Sequence, residues 1–233
     1  MDIQQFKYGS DNLGYLVYSE KSGIAIDPGA VQDMVAFAKE KNIPIDIVTN
    51  THTHGDHTLG NNALIEKTNA QFIDCTTLSH GRILDLKDGS GLEVMLTPGH
   101  TMDSLCFKGA GFVVTGDTLF NATVGNCFSG DLESFFHSLK LLMSLPGDTL
   151  IYAGHDYVID AIKYARIIEP DNPDLSRYAS AYNPDHVVSC LSEELKVNPY
   201  LRFDAVSIIE RLKEKNLPNE TQFQRFSSVM EVF

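Results

Sequence analysis

Within the stretch "TNTHTHGDHTLGNN", His52, His54, Asp56 and His57 fall inside six residues, in a chain with only eight histidines. Neutral imidazole and carboxylate are the donors that Zn²⁺, Fe and Mn accept. In an extended strand end, His52 and His54 project to the same side, because side chains alternate with a period of two. Asp56 and His57 follow on a turn and can face a neighbouring point, so the HxHxDH pattern can feed two ions rather than one. A chance polar loop is the plain alternative. Against it stands the preceding "IDIVTN", an apolar run that sets the cluster at the C-terminal end of a strand.

Three later strand ends each offer one more donor. "MLTPGHT" carries His100, "VVTGDTLF" carries Asp117 and "IYAGHDY" carries His155. Glycine stands directly before each, where a backbone turn is easy and bulk is absent. His80, His137 and His186 have no neighbour at ligand spacing and are expected to be ordinary surface or core residues.

The elements that must position these donors alternate between the two periodicities. "YLVYS" and "GIAID" are β-rich runs, followed by a helical pattern in "AVQDMVAFAKEKN" with Val31, Met34, Val35 and Ala38 on one face. "LGNNALIEKT" predicts a short helix. Strands are expected at "LEVMLT", "SLCFK" and "GFVVTG", the last two joined as a hairpin through Gly109 and Gly111. "DLESFFHSLKLLMSLPGD" predicts an amphipathic helix ended by Pro146-Gly147, and "TLIYAG" a buried strand. From Ile159 onward β signals are absent, and "IDAIKYARIIEP", "DAVSIIERLKEKN" and "ETQFQRFSSV" predict helices. "KEKN" and "EEL" are expected on solvated helix faces.

The 233 residues fit one substantial core plus a smaller annex. The division expected is residues 1–158 as a β-rich domain carrying the metal donors and 159–233 as a helical extension. A net charge of −13 excludes nucleic acid and anionic membranes as partners, since phosphate binding needs clustered Lys and Arg. No apolar run approaches the ~20 residues that span a bilayer. The N-terminal segment lacks a basic stretch followed by an apolar one, so no secretory leader is expected and the location expected is cytoplasmic. Cys75, Cys106, Cys127 and Cys190 are far apart with no CxxC pair, which points to reduced thiols rather than a disulfide framework.

The chain resembles the metallo-β-lactamase superfamily, and within it the glyoxalase II (hydroxyacylglutathione hydrolase) branch. "SDNLGYLVY…GIAIDPG", "THTHGDH", "TPGHT", "GDTLF", "AGHDY", "KYARIIEPDNPDL" and "NPYLR" are similar to that family's segments, in its order and over nearly the whole length. The resemblance implies an α+β fold, a four-layer αββα sandwich with a C-terminal helical domain. It implies that His52, His54 and His100 bind one divalent ion and Asp56, His57 and His155 a second, with Asp117 bridging. Zinc is the first choice of metal, iron or manganese the alternatives. Asp27 in "AIDPG" is similar to a family carboxylate that orients a ligand histidine from behind; an ordinary turn-forming Asp before Pro is the competing reading. The chemistry implied is hydrolysis of a small-molecule thioester. Two ions ~3.5–4 Å apart hold a bridging hydroxide for attack on the carbonyl, with Asp56 orienting the nucleophile.

The substrate pocket departs from the family pattern. Where glyoxalase II enzymes commonly carry a Gly-Cys-Gly-Lys or Gly-Cys-Gly-Arg stretch, this chain reads "NATVGNCFSG", with Asn126 at the basic position and Phe128 nearby. The tail "QRFSSVMEVF" has Ser227 and Met230 where further cations are expected. Tyr157, after "GHD", keeps the family tyrosine. Asn126, Phe128 and Tyr157 are the candidate substrate contacts, and poor selectivity for glutathione thioesters follows. Arg202 in "NPYLR" matches a family position, either bracing the helices or touching substrate. The rival reading is a mononuclear-iron persulfide dioxygenase, a branch that "GHTMDSLCF" and "LPGDTLIYAGHDY" also resemble; retention of His155 and the helical extension argues against it. A non-catalytic module is disfavoured by the intact donor set. The sequence leaves the thiol carrier, the acyl group and the oligomeric state open.

Overall fold

A computed structural model describes residues 1–232. Strands β1 (Asp2–Tyr8), β2 (Asn12–Tyr18), β3 (Gly23–Ile26), β4 (Ile45–Thr49) and β5 (Gln71–Phe72) form one sheet in that order. Its β1–β3 portion is antiparallel and its β3–β5 portion parallel. The second sheet has the order β13-β12-β9-β8-β7-β6. It is built from β6 (Ile83–Asp85), β7 (Gly91–Leu96), β8 (Leu105–Lys108), β9 (Phe112–Gly116), β12 (Leu150–Ala153) and β13 (Ser189–Cys190). Between β9 and β12 in the chain, β10 (Leu119–Phe120) and β11 (Thr123–Val124) make a separate two-stranded hairpin.

Alternation along the strands creates the layers. Tyr15, Val17, Ile24 and Ile26 of the first sheet share one apolar cluster with Val94, Phe107, Val114 and Tyr152 of the second. The residues between them point the other way. Leu16 and Ala25 pack with Met34 and Ala38 of α1 (Val31–Lys41) and Leu64 of α3 (Asn61–Thr68). Met95, Cys106, Val113 and Ile151 pack with Phe135, Phe136 and Leu139 of α4 (Leu132–Met143). Helix, sheet, sheet and helix therefore stack in four layers. Local sequence sets the helix ends: Asn42 ends α1 in the left-handed conformation at φ 56°, and Asp131 caps α4 by accepting from the Ser134 amide at 2.9 Å.

α2 (Gly55–Thr58) is a single turn holding Asp56 and His57. The C-terminal region contains α5 (Val158–Ile168), α6 (Asp174–Ala181), α7 (Leu191–Val197), α8 (Val206–Glu214) and α9 (Gln222–Val232). It is anchored to the sandwich, because Val158, Ile162, Leu175 and Tyr178 join the inter-sheet cluster and Phe226 joins the α4 cluster. No helix among the described residues is long and apolar enough to cross a membrane.

Two expectations need correction. β13 adds a strand beyond Ile159, pairing Ser189 and Cys190 with Ile151 and Leu150; two residues are too few to display an alternation. Glu194, in the "EEL" read as solvated, is fully buried. It accepts from Tyr178 Oη, Ser189 Oγ, the Ala122 amide and Asn198 Nδ2, which offsets the cost of removing a carboxylate from water. Arg202 braces the helices: its guanidinium forms a fork on buried Glu169 at 2.7 and 2.9 Å. The four cysteines are free thiols.

Candidate metal centre

The donors meet at one edge of the sandwich, where parallel strands of both sheets end. β3 runs into Asp27 and β4 into His52, while β9 runs into Asp117 and β12 into His155. The Leu105 amide donates to the Thr51 carbonyl at 2.9 Å and ties the two sheets together there. Close approach of the strand ends depends on glycine. A Cβ on Gly154 would stand 2.2 Å from Asp117 Oδ1, and one on Gly116 (φ 49°) 2.4 Å from Thr51 Oγ1.

His52 Nε2 lies 3.0 Å from His54 Nδ1, which lies 3.1 Å from His100 Nε2. His57 Nε2 is 3.3 Å from His155 Nε2, and Asp56 Oδ2 is 3.6 and 3.4 Å from those two atoms. Asp117 stands between the groups. Its Oδ2 is 3.4 Å from His100 Nε2 and 3.5 Å from His155 Nε2, and its Oδ1 is 3.4 Å from His57 Nε2. Donors held tetrahedrally at ~2.0–2.1 Å from one ion are themselves about 3.3 Å apart. Each triad, His52–His54–His100 and Asp56–His57–His155, has the spacing to hold a metal ion.

The far sides of the rings decide which nitrogen carries the lone pair. His57 Nδ1 donates to Asp27 Oδ2 at 3.0 Å, His155 Nδ1 to Asp11 Oδ1 at 2.7 Å and His100 Nδ1 to the Asn126 carbonyl at 2.9 Å. His52 Nδ1 faces Thr51 Oγ1 at 3.1 Å, and that hydroxyl donates to Asp27 Oδ2 at 2.7 Å. With those tautomers, the Nε2 lone pairs of His52, His57, His100 and His155 converge on one another and on the Asp117 carboxylate, Oδ1 facing His57 and Oδ2 the other three, and the buried Oδ1 has no hydrogen-bond partner. Only positive charge satisfies such a convergence, so the residues present fit divalent cations.

The charge balance agrees. Burial, then the neighbouring His57, holds the His52 imidazole down at about 4 and so neutral at pH 7. Burial also lowers His100. For Asp117, burial pushes upward, but His57 and the other imidazoles hold the carboxyl at about 2. His57 shows the opposite result: burial pulls down, and Asp27 with Asp117 outweighs it, raising the group to about 11. A proton is drawn there by the same two carboxylates that would favour a cation.

The residues proposed as substrate contacts divide by position. Tyr157 stacks on His155, with ring centroids 5.0 Å apart and planes 4° from parallel. Phe128 sits edge-on to His54 and His100 at 5.9 and 5.2 Å. Asn126 lines a cleft of about 250 Å³ with Tyr157, while its carbonyl serves His100. A larger cleft, about 450 Å³, lies elsewhere, around Glu169, Arg202 and α8, and no donor residue lines it. His80, His137 and His186 stand apart, against the Leu96 amide, Phe136 and Tyr152 respectively. Sequence reasoning missed Asp11, Asn12 and Thr51. Asn12 Nδ2 donates to Asp56 Oδ2 at 2.9 Å, and Asn12 bridges to His155 through the backbone. The adjacent polar pair in "SDNLG" was its only signal.

Comparison with known proteins accords with this geometry. Residues 11–73 and 76–155 match the metallo-beta-lactamase superfamily model, and residues 156–231 match the hydroxyacylglutathione hydrolase C-terminus. The chain is 30% identical to a hydroxyacylglutathione hydrolase of Pseudoalteromonas translucida, over 92% of this chain and 90% of that one. It is 32% identical to one of Brucella ovis, over 100% and 98%. Among solved structures, ETHE1 from Myxococcus xanthus aligns with a TM-score of 0.73 at 24% identity, covering 100% of this chain and 91% of that chain; this likeness speaks to the fold. Because both models match in tandem and relatives at this identity span the chain from end to end, the protein belongs to the metallo-beta-lactamase superfamily, among the metal-dependent hydrolases with the hydroxyacylglutathione hydrolase C-terminus.

Proposed function

We propose that this chain hydrolyses a small-molecule thioester at a two-metal centre. His52, His54 and His100 hold one ion, Asp56, His57 and His155 the other, and Asp117 serves both. The observation that carries the reading is the position of the Asp117 carboxylate, within 3.5 Å of donors from each triad. Zinc fits the donor set first, with iron or manganese as alternatives. When bound, two divalent ions supply Lewis acidity and lower the pKa of water toward neutrality.

The protein's own groups do the rest. Asp56, fixed by Asn12, orients the attacking water. As the water oxygen bonds to the carbonyl carbon, the C–S bond breaks, the sulfur leaves with the electron pair, and the proton that the water gives up ends on that thiolate. A thiol of pKa ~8.5 leaves readily, so no strong general acid is needed. Tyr157, Phe128 and Asn126 contact the substrate, and the extension from residue 159 contributes one wall of its cleft through Tyr164. A reducing, cytoplasmic setting suits the free thiols.

Elemental analysis of purified protein combined with a panel of acyl thioesters tests this. Two ions per chain with thioester cleavage is the expected result. One iron per chain with O₂ uptake on glutathione persulfide would transfer the chain to the dioxygenase reading. What weighs for hydrolysis is the second triad, whose His57 and His155 are both backed by carboxylates.

A further inference from the structure

Four exposed apolar side chains stand on the rim of the metal edge. Leu59, Met102, Phe128 and Tyr157 are 61, 63, 67 and 39% exposed. Scattered exposed hydrophobics are ordinary, but these four are attached to the donor segments. Leu59 follows the α2 turn of Asp56 and His57, and Met102 follows His100 by two residues. Phe128 rests on the rings of His54 and His100, and Tyr157 on that of His155.

The cleft of about 250 Å³ opens beside this rim, between the β10–β11 hairpin and α5. Phe120, Val124, Tyr157, Ala161 and Tyr164 give it apolar walls, and Asn126 adds an uncharged polar group. Its lining includes no Lys or Arg. The one ionisable carboxylate there, Asp160, is engaged by Lys163 at 2.6 Å. The neighbouring cation on the β1 side, Lys7, pairs with Asp156 at 3.3 Å. A thiol carrying free carboxylates would enter a cleft without a cation, in a protein of net charge −13. Charge-assisted contacts are the strong ones for carboxylates, and none of the lining residues offers one.

We infer that the preferred substrate is a thioester of an uncharged thiol, apolar beside the sulfur, and not one of a dicarboxylate thiol such as glutathione. Phe128 and Tyr157 flank the sulfur, and the cleft takes the thiol chain. The inference rests on the hydrolytic reading of the metal centre, so binding and turnover are measured separately.

Calorimetry on the metal-loaded chain would compare two uncleavable thioethers, S-hexyl-N-acetylcysteamine and S-hexylglutathione. At least tenfold tighter binding of the first is expected; equal or tighter binding of the glutathione ether overturns the inference. Hydrolysis of the matching S-butyryl thioesters should show a similar tenfold ratio in kcat/KM, and a ratio favouring glutathione also overturns it. Failure to cleave either ester, with the binding preference intact, sinks the hydrolase reading while the cleft's selectivity stands. Phe128→Ala should raise KM for the N-acetylcysteamine ester at least threefold, and an unchanged KM counts against the assignment of Phe128.

Discussion

Asp27 Oδ2 lies 3.0 Å from His57 Nδ1 and accepts from Thr51 Oγ1, whose oxygen faces His52 Nδ1. One buried carboxylate thus orients a donor from each triad. Asp27 also takes the left-handed conformation at φ 50°, which turns its side chain back beneath the β4 terminus. Asn tolerates that conformation, so Asp27→Asn preserves the backbone while replacing an acceptor by an amide. Metal affinity should fall by roughly 10–100-fold, for both ions rather than one. Competition against a chromophoric chelator measures this, and loss of a single ion would show that Thr51 does not relay to His52.

Gly154 is held on both sides by backbone hydrogen bonds, to Leu13 and Gly116, each 2.8 Å. The chain cannot retreat there. Gly154→Ala places a methyl 2.2 Å from Asp117 Oδ1 and 3.0 Å from His57 Cε1. An ångström-scale displacement of Asp117 should lower kcat by roughly 10²-fold. Circular dichroism at unchanged melting temperature, alongside assayed turnover and metal content, separates this from misfolding.

The donors themselves were legible because each follows a recognisable strand and HxHxDH has few other uses. Their supports were less so. Asn12 reaches Asp56 across 44 positions and Asp11 reaches His155 across 144, separations that carry no local pattern. β1 was missed because its partly exposed face blurs the alternation of "DIQQFKY". Glu194 was misread for a different reason: in sequence it is one charge among helical neighbours, and only the folded chain supplies the four donors that let it be buried. The αββα layering was accessible through the resemblance, whereas the inward and outward faces of single strands follow from packing.

Glu194 links α7 to the tip of the β10–β11 hairpin through the Ala122 amide at 2.8 Å. Burial raises its carboxyl above the usual value despite those hydrogen bonds. With the folded value above the unfolded one, this group's contribution is fully present below the unfolded pKa, near pH 4.5, and is lost as pH rises through the folded pKa. Glu194→Gln removes that dependence but leaves one amide donor facing other donors. The variant should therefore compare worse with the parent at pH 4 than at pH 8. Glu194→Leu strands four donors and should cost about 3 kcal/mol or more. Urea titrations at the two pH values check both.

Acid should destabilise the metal-free protein through His52. Its imidazole is fully buried and its folded value, about 4, lies below the ordinary 6.5. Below pH 6.5 the unfolded chain binds a proton that the folded chain refuses, so stability is present above 6.5 and lost as pH falls toward 4. His57 does not offset this. Its raised value means its contribution is already complete below pH 6.5 and disappears only as pH rises toward about 11. The loss assigned to His52 is on the order of 3 kcal/mol across that window. Denaturant unfolding of chelator-treated protein at pH 7 and pH 4.5 should show it, and His52→Gln should flatten the slope by about one proton. An equally steep slope in the variant would move the acid sensitivity to another buried group.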